Sequence, residues 1–147
     1  MQRLTRADTV TAPVSSIIPV QALLNHALEG LDLSRPAEWE SRIPWQPFQE
    51  GVEIHRLYGD GVTGPSAALL RFSAGGRIPR HLHTGYEHIL VLAGSQADDD
   101  GLLPAGRLRI HIPGSSHAVT SAAGCIALAI YEKPVSFSGS SLFSVGA

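Results

Sequence analysis

From Val52 onward the chain is written in short apolar segments with a period near two. "VEIHRLY" (52–58) alternates apolar and polar positions, and "SAALLRFS" (66–73) is almost continuously apolar. "RIPRHLH", "EHILVLAG", "GRLRIHIP" and "GCIALAIYE" follow, with "VSFSG" and "SLFSVG" near the end. Turn formers punctuate them at Gly59-Asp60-Gly61, Gly75-Gly76, Asp98 to Gly101, Pro113-Gly114 and Gly124. Alternation predicts half-buried strands, and a continuous apolar run predicts a strand covered on both faces. Many short strands in one chain point to a β-sandwich or barrel.

Before Val52 the pattern differs. Residues Met1 to about Ser16 are polar and weakly patterned, which predicts an arm. "PVQALLNHALE" (19–29) places Leu23, Leu24, Ala27 and Leu31 at helical spacing, with Pro19 near the start and Gly30 as a stop. The segment that follows is loop-like, with Trp39, Trp45 and Phe48 as aromatic anchors. The expected organisation is an arm, short helix and loop over residues 1–50, packed on a barrel over residues 51–147.

Composition narrows the function classes. The 147 residues suffice for one core, and 15 glycines with 10 prolines suit a turn-rich β-fold. A net charge of -2 gives a nucleic-acid partner no electrostatic support. The single cysteine, Cys125, excludes an internal disulfide framework and fits a reducing compartment. The N-terminus has no apolar run of signal-peptide length. The longest apolar run, Cys125 to Tyr131, is far short of the ~20 residues that span a bilayer. A soluble, cytoplasmic chain without membrane contact is expected.

The candidate chemistry sits in "HLHTGYEHILVLAG", residues 81–94. Residues i and i+2 on a strand share a face, so His81 and His83 point the same way. A tight turn at Thr84-Gly85-Tyr86 can aim Glu87 at the same point, and barrel closure would bring His117, after "PGSS", opposite them. Three imidazoles and a carboxylate are borderline ligands that suit a divalent transition metal: zinc, iron, manganese, nickel or copper.

Gly75, five residues, His81-Leu82-His83, three residues, Glu87, six residues and Gly94 resemble the first cupin motif. "PGSSH" (113–117) resembles the second, with its proline and glycine adjacent and Ser121 where many cupins carry asparagine. The resemblance implies an all-β cupin jelly roll (a double-stranded β-helix barrel) with one metal ion inside, held by His81, His83, Glu87 and His117. More narrowly, residues 83–125, "HTGYEHILVLAGSQADDDGLLPAGRLRIHIPGSSHAVTSAAGC", resemble the cupin domain of ChrR-type anti-sigma factors. Those domains bind zinc through the residues matching these four, which favours zinc here. Their separate helical domain grips a sigma factor through a zinc site of histidine and cysteine. The region before this barrel offers His26 and no cysteine, so sigma-factor binding by this chain is not expected.

Other polar residues carry blander expectations. His88 and His111 fall out of phase with the inward set and are expected to face solvent or pack structurally, and His26 and His55 have still less to mark them as ligands. Tyr86 is a candidate for the site's mouth, or simple packing. Arg71, Arg77 and Arg80 are expected to be solvated, "ADDDG" to be a solvated hairpin turn, and Cys125 to be a buried, inert thiol. Two functions follow. One is a non-catalytic zinc cupin with a regulatory, sensory or small-ligand-binding role. The alternative is a small iron-dependent dioxygenase acting on a dicarbonyl or related molecule. A homodimer through barrel edges is expected by fold analogy.

Overall fold

The computed structural model describes residues 32–138. The sequence-predicted arm, the helix at 19–29 and the segment "SLFSVG" lie outside the described residues. Two single-turn 3₁₀ segments, Pro36–Glu38 and Glu40–Arg42, precede ten strands. The strands are β1 (Gln46–Gln49), β2 (Val52–Tyr58), β3 (Ser66–Phe72), β4 (Gly76–Leu82) and β5 (Glu87–Asp98). They continue with β6 (Gly101–Pro104), β7 (Leu108–His111), β8 (Ser116–Ser121), β9 (Cys125–Tyr131) and β10 (Ser136–Phe137). All pairings are antiparallel, in the spatial order β1-β2-β3-β9-β5-β8-β4-β10, with β6 and β7 also on β5. This is an all-β, curled jelly-roll sheet. Among the described residues no helix is long and apolar enough to cross a membrane.

Strand β5 closes the roll. Its first half pairs β9 and β7, and its second half pairs β6 and β8. The change of partners follows a bulge between Val91 and Ala93, a device that bends a strand sharply. Gly94, next in line, has φ +69°, and a Cβ there would collide with the Gly124 carbonyl. The sequence pattern ends this strand at Gly94. Here glycine permits close backbone approach at a corner, and the strand runs on.

Two apolar layers hold the sheet. Val52, Ile54, Leu70, Phe72, Ile78, Ile89, Val91 and Val119 fill the interior with the small side chains of β9. Outside, Trp39 and Ile43 of the 3₁₀ loop pack on Leu69 and Ile126. The loop is why "SAALLRFS" and "GCIALAIYE" read as continuously apolar: both faces are covered. The indole of Trp39 donates to the Asp32 carbonyl at 2.9 Å and that of Trp45 to the Glu40 carbonyl at 2.9 Å, so neither polar edge is left unpaired.

Trp39 is 2 % exposed. Trp39→Ala should therefore cost about 3–5 kcal/mol, the range for emptying a large aromatic site. Urea titration monitored by far-UV circular dichroism reads this; a loss under ~1 kcal/mol would show that the loop does not brace the sheet.

Candidate metal centre

Antiparallel register assembles a polar row at one end of the interior. His81 on β4 faces its register partner His117 on β8, while Leu82 points outward. Glu87, the first residue of β5, is paired with Tyr131 on one side and His111 on the other. Tyr131 is in turn paired with Ser66. Cross-strand partners point to the same face, so the row Ser66, Tyr131, Glu87 and His111 all aim inward. His83 follows β4; its backbone N–H donates to the Ser115 carbonyl and its carbonyl accepts from Gly114 N–H, at 2.9 and 2.8 Å. The "PGSS" turn thus clamps the His83 backbone. On the other side, Thr84 Oγ1 donates to the Pro134 carbonyl at 2.6 Å and Tyr86 N–H donates to Glu132 Oε2 at 2.9 Å. These bonds tie down the turn that delivers Glu87.

The histidines are oriented by their outer nitrogens. His81 Nδ1 lies 2.9 Å from the Pro79 carbonyl and His117 Nδ1 lies 3.0 Å from Asp98 Oδ2. His83 Nδ1 lies 3.0 Å from Ser115 Oγ, whose own proton goes to the Ile112 carbonyl at 2.6 Å. Each outer partner presents only a lone pair, so each Nδ1 carries the proton and each Nε2 presents a lone pair inward. His117 Nε2 stands 3.0 Å from His81 Nε2 and 3.5 Å from Glu87 Oε2. His83 Nε2 is 2.9 Å and His81 Nε2 3.9 Å from the Glu87 carboxylate. Despite this crowding, His83 Nε2 and Glu87 Oε2 are buried without a hydrogen-bond partner. All four side chains are at most 4 % exposed.

Burial sets the protonation states. Desolvation lowers the pKa of His81, outweighing its bond to the Pro79 carbonyl and the nearby Glu87 charge. Desolvation likewise pushes His117 down to about 4, against the pull of Glu87 and Asp98. Burial alone would raise Glu87, but the facing His83, His117 and His81 hold it below the usual carboxylate range. At neutral pH His81 and His117 are therefore neutral imidazoles beside the Glu87 carboxylate. Tyr131, beside Glu87, is driven upward by burial and then by the Glu87 charge, with Arg56 opposing, so its phenol keeps its proton.

The structure brings together all four sequence-predicted residues, His81, His83, Glu87 and His117, as a buried group able to hold a metal ion. It corrects the reading of His111. That ring points into the cluster, stacked on His83 at 4.8 Å, with Nε2 3.9 Å from Glu87 Oε2, 3.6 Å from Asp98 Oδ2 and without a hydrogen-bond partner. The turn at 112–115 breaks the phase between His111 and His117, and pairing with Glu87 sets its direction instead. Asp98 was missed as well. Asp99 and Asp100 form the solvated turn, but the Asp98 carboxylate turns inward to His117 and to Arg109 Nη1 at 2.6 Å. Asp98, His111 and His117 make a second, overlapping group of possible ligands.

The remaining expectations divide. His88 lies on the outer face, and His55 is buried away from the cluster, neutral by desolvation. Tyr86 is half exposed and lines no cavity beside the site. Arg71, Arg77 and Arg80 pair with Glu53, Glu50 and Asp99 on the outside. Cys125 is buried, its thiol pushed up to about 12 by desolvation, as befits an unreactive group. Arg56, which the sequence reading passed over, faces inward next to Ile54. Two neighbouring cavities share lining residues, and one of them touches the cluster. The inner one, about 20 Å³, touches His81, Glu87 and His117, and the outer one is about 140 Å³. Phe48, Tyr131, Val135 and Phe137 line both.

With this geometry in hand, comparison with known proteins is informative. A search of curated proteins finds no match. Among solved structures, the chain is similar to the anti-sigma factor ChrR of Rhodobacter sphaeroides, solved in complex with SigE. The match has 28% identity, a TM-score of 0.57, and covers 83% of this chain and 70% of that one. An RmlC-like cupin protein from Ralstonia eutropha matches at 26% identity and TM-score 0.57, covering 65% of this chain and 66% of that one. An acetylacetone dioxygenase from Acinetobacter johnsonii shares the fold at 17% identity, TM-score 0.59, covering 65% of this chain and 72% of that one. The model of the ChrR cupin-like domain matches residues 39–135, and the chain belongs to that family.

Proposed function

We propose that the barrel holds one divalent transition metal ion, zinc first among them, on His81, His83, Glu87 and His117, and serves as a regulatory or ligand-sensing cupin. The observation that carries this reading is the 3.0 Å approach of two Nε2 lone pairs, those of His81 and His117. With both Nδ1 protons committed outward, only a cation between these atoms relieves the repulsion. Burial lowers both pKa values, which disfavours a shared proton and supports a metal ion at this point. The spacings agree. Donors about 2.1 Å from one ion stand roughly 3.0 Å apart at a right angle and roughly 3.4 Å apart at the tetrahedral angle. The observed separations of 2.9, 3.0 and 3.5 Å bracket these values. The outer partners Pro79, Ser115 and Asp98 supply the orienting hydrogen bonds that metal-binding histidines need. His111 stands near enough to add a donor. When bound, the ion supplies positive charge and Lewis acidity; the protein fixes the ligands, holding His81 and His117 unprotonated and Glu87 ionised.

A second reading, an iron-dependent dioxygenase acting on a dicarbonyl, is favoured by the cavity in contact with His81, Glu87 and His117. Among the described residues the interior offers no acid–base pair outside the donor cluster and its partner Asp98, which supports the first reading. Neither reading includes sigma-factor binding by residues 1–50, which contain one histidine, His26, and no cysteine. A buried lone thiol suits a reducing, cytoplasmic setting. A homodimer is supported by the outer face of β7. Leu108 and Ile110, with Ile112 just beyond, are each at least half exposed along a strand paired on one side only among the described residues.

Elemental analysis of protein expressed without added metal should give zinc near one per chain, and His83→Ala should weaken metal affinity by more than the ~10–100-fold that loss of an outer hydrogen-bond partner costs. Iron with oxygen uptake on a β-diketone would select the second reading, and an unchanged His83→Ala would overturn both. Chelated protein gives a pH test. His81, His111 and His117 have folded pKa values below 6.5, so the unfolded chain binds more protons as pH falls. Stability present above pH 6.5 should drain away on acidification, down to about 4 for His117, with Glu87 and Asp98 adding losses in the same direction lower down. Urea titrations at several pH values read this, and a flat profile would contradict the neutral-imidazole assignment. Ile110→Lys should convert the dimer to monomer in sedimentation velocity; a wild-type monomer would remove the dimer reading.

A further inference from the structure

Arg56 is the cation of a cavity that otherwise presents apolar and hydroxyl-bearing walls. The outer chamber, about 140 Å³, is lined by Phe48, Ile54, Arg56, Ser66, Tyr131 and Phe137 among others, and by no carboxylate. The other arginines discussed above each have an acid: Arg71 with Glu53, Arg77 with Glu50, Arg80 with Asp99 and Arg109 with Asp98. Among the described residues, no acid pairs with Arg56. A half-buried guanidinium with five donors and no anion among the described residues is suited to recognising an anionic ligand.

The backbone holds it there. Ile54 and Arg56 share the inner face of β2, and the strand slips register immediately after Arg56, where a bulge re-aims the chain. The loop that follows is pinned by Asp60, whose Oδ1 accepts from Val62 and Thr63 N–H at 2.7 and 2.8 Å. It presents Gly61, φ +72°, against the guanidinium, where a Cβ would collide with it. The absent side chain is what lets the Arg56 head lie along this wall. The opposite wall is Tyr131, which also lines the inner chamber beside Glu87.

We propose that this chamber binds a small organic monoanion, a carboxylate with a flat apolar body. Its charged end sits on Arg56, its body rests against Phe48, Ile54 and Phe137, and its far end lies beside Tyr131 towards the donor cluster. The chamber has the volume of a site that takes one benzene ring, on the order of 150 Å³. A guanidinium favours a carboxylate through two parallel charge-assisted bonds. The recognition step needs Arg56 and the apolar walls only, so it stands apart from the identity of the metal.

The test is isothermal titration of the full chain, as purified, with benzoate, using neutral benzyl alcohol and cationic benzylamine for comparison. Benzoate should bind about tenfold or more tightly than benzyl alcohol, the discrimination expected when a charged hydrogen-bonding partner is removed. Benzylamine should not bind. Arg56→Gln should abolish the preference for benzoate over benzyl alcohol while leaving metal content and melting temperature as in the wild type, and Arg56→Lys should keep part of it. Benzoate binding no tighter than benzyl alcohol, no benzoate binding at all, or an unchanged preference in a folded Arg56→Gln would each overturn the proposal. Because metal content is measured on the same samples, failure here is distinct from failure of the metal reading.

Discussion

Lone pairs turned towards one another inside an apolar shell are the constraint around which this barrel is arranged. His81, His83 and His117 each spend their Nδ1 proton outward, on Pro79, Ser115 and Asp98, leaving three basic nitrogens and a carboxylate face to face. Buried donors and acceptors without partners cost free energy, and repelling ones cost more. The fold tolerates them because four separate segments are braced by backbone bonds, such as His83 N–H to the Ser115 carbonyl. A cation at the centre would turn that liability into cohesion, and folding and metal binding would then be thermodynamically joined.

The position of the centre follows from register. Polar residues at one level of the interior, Ser66, Tyr131, Glu87 and His111, form a continuous cross-strand row. One level down the partners are Ala68, Ala129 and Ile89, and below those Leu70, Ala127 and Val91. The interior is therefore layered, with a polar tier at the level of Glu87 and an apolar tier beneath it. The inner cavity touches both tiers, with Glu87 and Tyr131 from the first and Ile89 and Leu70 from beneath it. Family membership fits this plan, but the ChrR likeness speaks to the fold and the donor cluster rather than to an activity.

Most of the framework was legible from the chain alone. Two-residue alternation located β2 and β4, and double-sided burial located β3 and β9. The i, i+2 histidines marked the cluster before any coordinates. What was hidden depends on partners remote in sequence. Nothing local to "GRLRIHIP" reveals that His111 faces Glu87, because a four-residue turn resets its phase with respect to His117. Asp98 looks like a turn residue by composition, and only the continuation of β5 past Gly94 makes it a strand end pointing inward. The strand carrying His117, "SHAVTS", is short and polar enough that the motif signalled it and the pattern did not. Arg56 reads as the polar half of an alternating strand, and its inward direction emerges when Ile54 and Tyr131 share its cavity.

His117 also joins the two ends of a single strand. Its Nδ1 meets Asp98, the last residue of β5, and its Nε2 approaches Glu87, the first. The imidazole is the string of a bow whose limb is the curved strand. Flattening or tightening that limb at the Gly94 corner would change the span that the ring must bridge, and so the diameter of the ring of donors. Curvature of the sheet and aperture of the centre are thereby one mechanical variable.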